Sequence, residues 1–148
     1  MNRRGLLWGA VSTISAAFTA SGARAATEAP GRKLKVLYHL CDLDRVDFVL
    51  NNIRNHIDGV DGPDNVTLAL IVHGPALRAF QTGAASADVG GRIGQLVRAG
   101  YEVAACGNTM RAQHLTLKDL LPGFVAAEKG GVVRIAELQS QGYLYIKP

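Results

Sequence analysis

Apolar residues fall along this chain in two different rhythms. Leu34-Lys-Val-Leu-Tyr-His-Leu40 and Val66-Thr-Leu-Ala-Leu-Ile-Val72 are short, nearly continuous apolar runs bounded by polar residues, which predicts buried strands. Glu102-Val-Ala-Ala-Cys106 predicts a third strand, Phe124 to Ala127 a brief fourth, and the alternating Tyr143-Leu-Tyr-Ile-Lys147 a fifth. Between them the period changes to that of a helix. Val46, Val49, Leu50, Ile53 and Ile57 share one helical face, with Asp42 or Asp44 placed to cap it. Pro75 opens a short helix with Ala76, Leu77 and Phe80 on its apolar edge. Val89, Ile93, Leu96 and Val97 mark the next, closed by Gly100; Gly90, Gly91 and Gly94 weaken it unless a neighbour packs closely against them. A turn of helix follows Cys106, with Asn108 or Thr109 as its cap. Thr116-Leu-Lys-Asp119 starts another by a variant capping box, and Pro122-Gly123 stops it. Val132, Val133, Ile135, Ala136 and Leu138 make a last helix ending at Gly142.

Strand and helix in strict alternation predict an α/β, three-layer domain: a five-stranded, mainly parallel sheet with helices on both faces. The expected strand order is flavodoxin-like, 2-1-3-4-5. Ligands and chemistry in such sheets gather beyond the carboxyl ends of the strands. Three strand exits carry polar chemistry there: His39-Leu40-Cys41, His73-Gly74-Pro75 and Cys106-Gly107-Asn108. With strands one and three adjacent, Cys41, His73 and Cys106 would converge.

The residues before the first strand read differently. Arg3-Arg4, an apolar run from Leu6 to Ala20 and the small-x-small Ala23-Arg24-Ala25 form an export signal, residues 1–25, cleaved near Ala25. The arginine pair suits the twin-arginine route in part; the general route stays open. Residues 26–33 read as a flexible lead-in and 34–148 as the single domain. The expected location is the periplasm, with no membrane association after cleavage. Charge then loses its weight as evidence. Arg3, Arg4 and Arg24 account for three of the 16 basic residues, leaving 13 against 12 acidic ones. A near-neutral mature chain gives no reason to expect nucleic acid as a partner.

Cys106 is the leading candidate for chemistry. A thiol at a strand-to-helix turn lies beside the unpaired N–H groups of the helix start, which favour the thiolate, the reactive form. His73 is placed as an acid/base or orienting group, and Asn108 and Thr109 present the helix start to the sulfur. Arg111 stands one turn on, placed to favour an anion or to remain solvated. The competing reading makes Cys106 a small apolar strand end. His39 reads as a core histidine with a satisfied ring, His73 alternatively as the cap of a local turn, and His56 and His114 as surface residues. Cys41 has three readings: a bystander, a disulfide or resolving partner of Cys106, or a soft-metal ligand with Cys106 and His73, for copper or zinc. The leading reading requires no cofactor and no metal. The sequence contains no CxxC, no phosphate-binding glycine loop and no serine-nucleophile motif.

Asn52-Ile-Arg-Asn-His56, His73-Gly-Pro75, Cys106-Gly-Asn-Thr-Met-Arg-Ala112 and the tail from Arg134 to Pro148 resemble the DsrE/DsrF-like family over nearly the whole mature chain. The resemblance implies a small α/β domain assembling into trimers or hexamers. It also implies a cysteine after the third strand that accepts persulfide sulfur from a donor protein and passes it to an acceptor; Cys106 matches that position. Export and the extra Cys41 depart from the sulfur-relay relatives, which work with cytoplasmic partners. A non-catalytic assembly or small-ligand-binding module is the alternative function.

Overall fold

The computed structural model describes residues 33–148; the expected export signal and nearly all of the lead-in lie outside them. Five strands form one sheet: β1 (Leu34–Leu40), β2 (Val66–Val72), β3 (Glu102–Cys106), β4 (Val125–Ala127) and β5 (Leu144–Ile146). Four α-helices connect them: α1 (Val46–Gly59), α2 (Ala87–Arg98), α3 (Gly107–Ala112) and α4 (Gly131–Ser140). The short helix expected after Pro75 is a 3-10 turn over Gly74–Phe80. The capping box is present, Thr116 donating its N–H and its hydroxyl to Asp119 Oδ2, each at 2.8 Å.

Every pairing is parallel, and the order is β4-β3-β2-β1-β5. This corrects the expected 2-1-3-4-5 arrangement: β2, not β1, is the neighbour of β3. Each of the first three crossovers steps to the next strand in the same direction. The last returns across the whole sheet to the free edge of β1. Right-handed crossovers running in opposite directions put their helices on opposite faces. Accordingly α1, α2 and α3 bury Val49, Ile53, Ile93, Leu96 and Met110 against Val36, Leu40, Leu68, Leu70, Val72 and Val103. On the other face α4, alone among the described helices, packs Ile135 and Leu138 on Leu37, Ala69, Ile71 and Ala104. Val125 and Tyr145 flank α4 there and stay half exposed. Among the described residues no helix is long and apolar enough to cross a membrane.

The glycines of α2 have a different environment from the expected one. A Cβ at Gly91 would meet nothing within 4 Å, and at Gly90 only ordinary contact with Leu121; at Gly94 it would lie 3.1 Å from Nη1 of Arg98, a flexible side chain of the same helix. Close packing against a neighbouring element therefore does not account for them.

Candidate functional site

Side chains alternate across a strand. Leu37 and His39, Ile71 and His73, Ala104 and Cys106 therefore occupy the α4 face in pairs, the second of each pair at the carboxyl edge. The ladders match Leu40 with Val72 and Val72 with Ala105. Carried one residue on, that register sets Cys41, His73 and Cys106 in a row with His73 in the middle. At two strand spacings the cysteine α-carbons stand roughly 9–10 Å apart, beyond the span of about 7 Å that a disulfide bridges. Both thiols are free.

Cys106 occupies the N-cap position of α3, a place expected for Asn108 or Thr109, which instead lie in its first turn. Its sulfur accepts the N–H of Gly131, the first residue of α4, at 3.1 Å. The N–H groups of Asn108 and Thr109 and the Thr109 hydroxyl, at the start of α3, add to the attraction without closing a cap hydrogen bond. Thr109 Oγ1 in turn accepts the Gly74 N–H at 2.9 Å, so its own proton is free for the sulfur. Burial pushes the Cys106 thiol up, but these donors together outweigh it and hold it below the ordinary thiol range. A sulfur relay requires an accessible thiol, but Cys106 is only 5% exposed, shut in by the first turn of α4. Gly131 is what lets that turn approach, since a Cβ there would lie 3.2 Å from Cys106 Cβ and 3.5 Å from His73 Cβ. Asn108 is exposed and accepts from Arg111.

His73 heads the 3-10 turn but makes no cap hydrogen bond with its side chain. Its Nε2 faces His39 Nε2 at 2.5 Å, and the Nδ1 of His39 meets the Tyr145 hydroxyl at 2.7 Å. Burial, followed by repulsion from His73 and Lys147 and opposed by Asp42, lowers His39 to about 4. Burial likewise lowers His73. No hydrogen bond joins His73 to Cys106 among the described residues. Cys41 is half-buried, its thiol donating to Asp42 Oδ2 at 3.1 Å. The convergent trio is therefore His39, Cys41 and His73, whose donor atoms lie within 4.8 Å of one another. Cys106 is not part of it, which corrects the sequence-derived metal set. His56 bonds Tyr38 from the helix surface, and His114 takes a left-handed turn conformation.

The sequence profile of the DsrE/DsrF-like family matches residues 15–148. The chain belongs to the DsrE/DsrF-like family. No curated protein matches it. Among solved structures, this DsrE/DsrF-like chain is similar to MTH1491 from Methanobacterium thermoautotrophicum, a protein of unknown function, at 26% identity and a TM-score of 0.67; the match covers 78% of this chain and 99% of that one. It also shares its fold with the ychN protein from E. coli, at 15% identity and a TM-score of 0.61, covering 79% and 100%.

His39, read from the sequence as a core histidine with a satisfied ring, does have both ring nitrogens partnered, by Tyr145 and His73, but it is half-buried at the edge rather than in the core. Gly131 escaped the sequence reading; its signal was only a glycine pair after the fourth strand.

Proposed function

We propose that this protein carries sulfur on Cys106. The observation that carries the reading is the Gly131 N–H on the sulfur, with the start of α3 at Asn108 and Thr109 adding to it, which favours an anion there. The Cys106 thiolate attacks the outer sulfur of a donor persulfide, R–S–SH. A new S–S bond forms on Cys106, the donor's S–S bond breaks, and the donor leaves as a thiolate that takes up a proton. An acceptor thiolate then removes the outer sulfur and regenerates the Cys106 thiolate, with no net oxidant. Asn108 and Thr109 hold the charge. His73 would take or give a proton only after turning its ring away from His39. Entry of the donor requires the Glu128–Gly131 segment to lift from the sulfur.

The protein acts, in this reading, outside the cytoplasm with a sulfur donor or acceptor protein as partner. It also assembles with itself, as a trimer or hexamer, through the apolar surface that Val125, Val132, Val133 and Tyr145 leave exposed. Light scattering on the purified protein tests assembly, a monomer at micromolar concentration counting against it.

Mass spectrometry after incubation with a sulfane-sulfur donor tests the carrier role. An adduct of about 32 Da, one sulfur, forms on wild type and on Cys41→Ser and is lost in Cys106→Ser. Equal labelling of wild type and Cys106→Ser refutes the assignment. The near-complete burial of Cys106 favours a second reading, a non-catalytic assembly module in which the sulfur is a structural acceptor for α4. A wild-type protein that takes up no sulfur on Cys106, though folded and oligomeric, decides for it.

A further inference from the structure

We propose that His39, Cys41 and His73 form a copper(I) site, separate from the Cys106 sulfur. The two imidazole rings are nearly parallel, at 16°, with centroids 4.6 Å apart. That separation exceeds the 2.5 Å between their Nε2 atoms by about two ring radii. The rings therefore meet edge to edge, each aiming the same nitrogen at the other; in the neutral pair one Nε2–H donates to the other's lone pair, and a metal ion in place of that proton would bind both nitrogens. Cys41 places a sulfur within 4.8 Å of both, at the end of the strand that carries His39. Imidazole and thiolate are the ligands that copper and zinc favour. The group contains three donors among the described residues, which completes a three-coordinate copper(I) site, whereas zinc would add a water as its fourth ligand.

A second feature supports a metal. Histidines that bind a metal through one nitrogen give the other N–H to an acceptor, which fixes the tautomer. The Tyr145 hydroxyl stands 2.7 Å from His39 Nδ1 for that purpose, and it comes from β5, across the point where the strand order reverses. His39 and Tyr145 also line a hollow of about 240 Å³ with Val132, Ile135 and Gln139. Loading spreads the two nitrogens to the ~3.3 Å expected around a tetrahedral or trigonal ion with ~2 Å bonds, a small ring rotation. It releases the Cys41 thiol proton, so the site gains a monovalent cation and loses a proton with no change of net charge.

The test titrates the reduced full-length protein with copper(I) against a chromophoric copper(I) chelator, with X-ray absorption on the loaded sample. One ion per chain is expected, with one sulfur and two nitrogen scatterers. Cys41→Ser removes the sulfur shell, and Cys41→Ser, His39→Ala and His73→Ala each weaken binding at least roughly 100-fold, while Tyr145→Phe keeps the metal with roughly 10-fold weaker affinity. Circular dichroism melts confirm that each variant is folded. A sulfur shell that survives in Cys41→Ser and disappears in Cys106→Ser overturns the assignment, as does a protein that binds zinc(II) at one equivalent and does not compete for copper(I). Persulfide labelling of Cys106 is scored separately, so either proposal can fail alone.

Discussion

Gly107→Ala tests how the thiol is enclosed. Gly107 follows Cys106 directly, and a Cβ there would lie 3.0 Å from the carbonyl oxygens of both Ala127 and Glu128 and 3.2 Å from Glu128 Cα. All three are backbone atoms, so no side-chain rotation relieves the contact. The segment after β4 must retreat by a few tenths of an ångström. Overpacking of that kind costs about 1–3 kcal/mol. Alanine in place of glycine within a helix returns up to about 1 kcal/mol, and less at a first helical position. The net expectation is a loss of about 1–2 kcal/mol, which for a domain of this size lowers Tm by roughly 4–10 °C. Because the same segment leads into Gly131, whose N–H reaches the Cys106 sulfur, the variant's Cys106 should also react faster with a disulfide reagent in a Cys41→Ser background. Gly91→Ala is the sign control: its site in α2 is exposed and open, so it should gain about 0.5–1 kcal/mol. Thermal melts and urea titrations read both. A Gly107→Ala protein as stable as wild type, or two variants shifting in the same direction, would refute the steric reasoning.

Three further outcomes follow from the hydrogen-bond and charge geometry. Thr109→Val removes the acceptor for the Gly74 N–H and a donor to the sulfur; it should cost about 1–2 kcal/mol and slow Cys106 alkylation at fixed pH, while Thr109→Ser retains both properties. Arg134 grips both Glu102 oxygens, at 2.7 and 2.6 Å, with each side chain about a quarter exposed; Arg134→Gln should therefore cost about 1–2 kcal/mol by urea unfolding, less in high salt. Cys106 binds its proton more weakly folded than unfolded, so its contribution to stability is complete above the unfolded thiol's pKa and is lost as pH falls through the lower folded one. Wild type should gain stability over Cys106→Ser as pH rises through that window under reducing conditions, and a difference that does not change with pH would contradict donation to the sulfur.

The elements were legible because each depends on local pattern. Val46 to Ile57 lie on one helical face wherever the helix packs, and Val66–Val72 are buried in any three-layer sheet. Strand order is not local. β1 and β2 are both apolar runs, and nothing in their periods says which one adjoins β3. One indication was available: Val66–Val72 is the less interrupted run, whereas Leu34–Leu40 carries Lys35 and His39, as suits a strand nearer the edge. The misplaced order carried over into the site. With β1 beside β3, Cys41 and Cys106 become natural partners; with β2 between them, His73 takes the middle and His39 replaces Cys106 in the cluster. The Gly131 amide on the sulfur is equally non-local, a product of α4 crossing to the other face.

That crossing decides what each sulfur can do. Cys106 lies toward the β4 side of the edge, where the start of α4 closes over it and supplies an amide, so its surroundings favour a shielded anion. Cys41 lies toward β5 with the His39 and His73 nitrogens within reach and the Asp42 carboxylate and Lys147 ammonium also against it, so a metal ion there must displace Lys147 from the sulfur. The intervening strand holds the two thiols farther apart than a disulfide spans, and each sulfur keeps its own chemistry without a redox partner inside the chain.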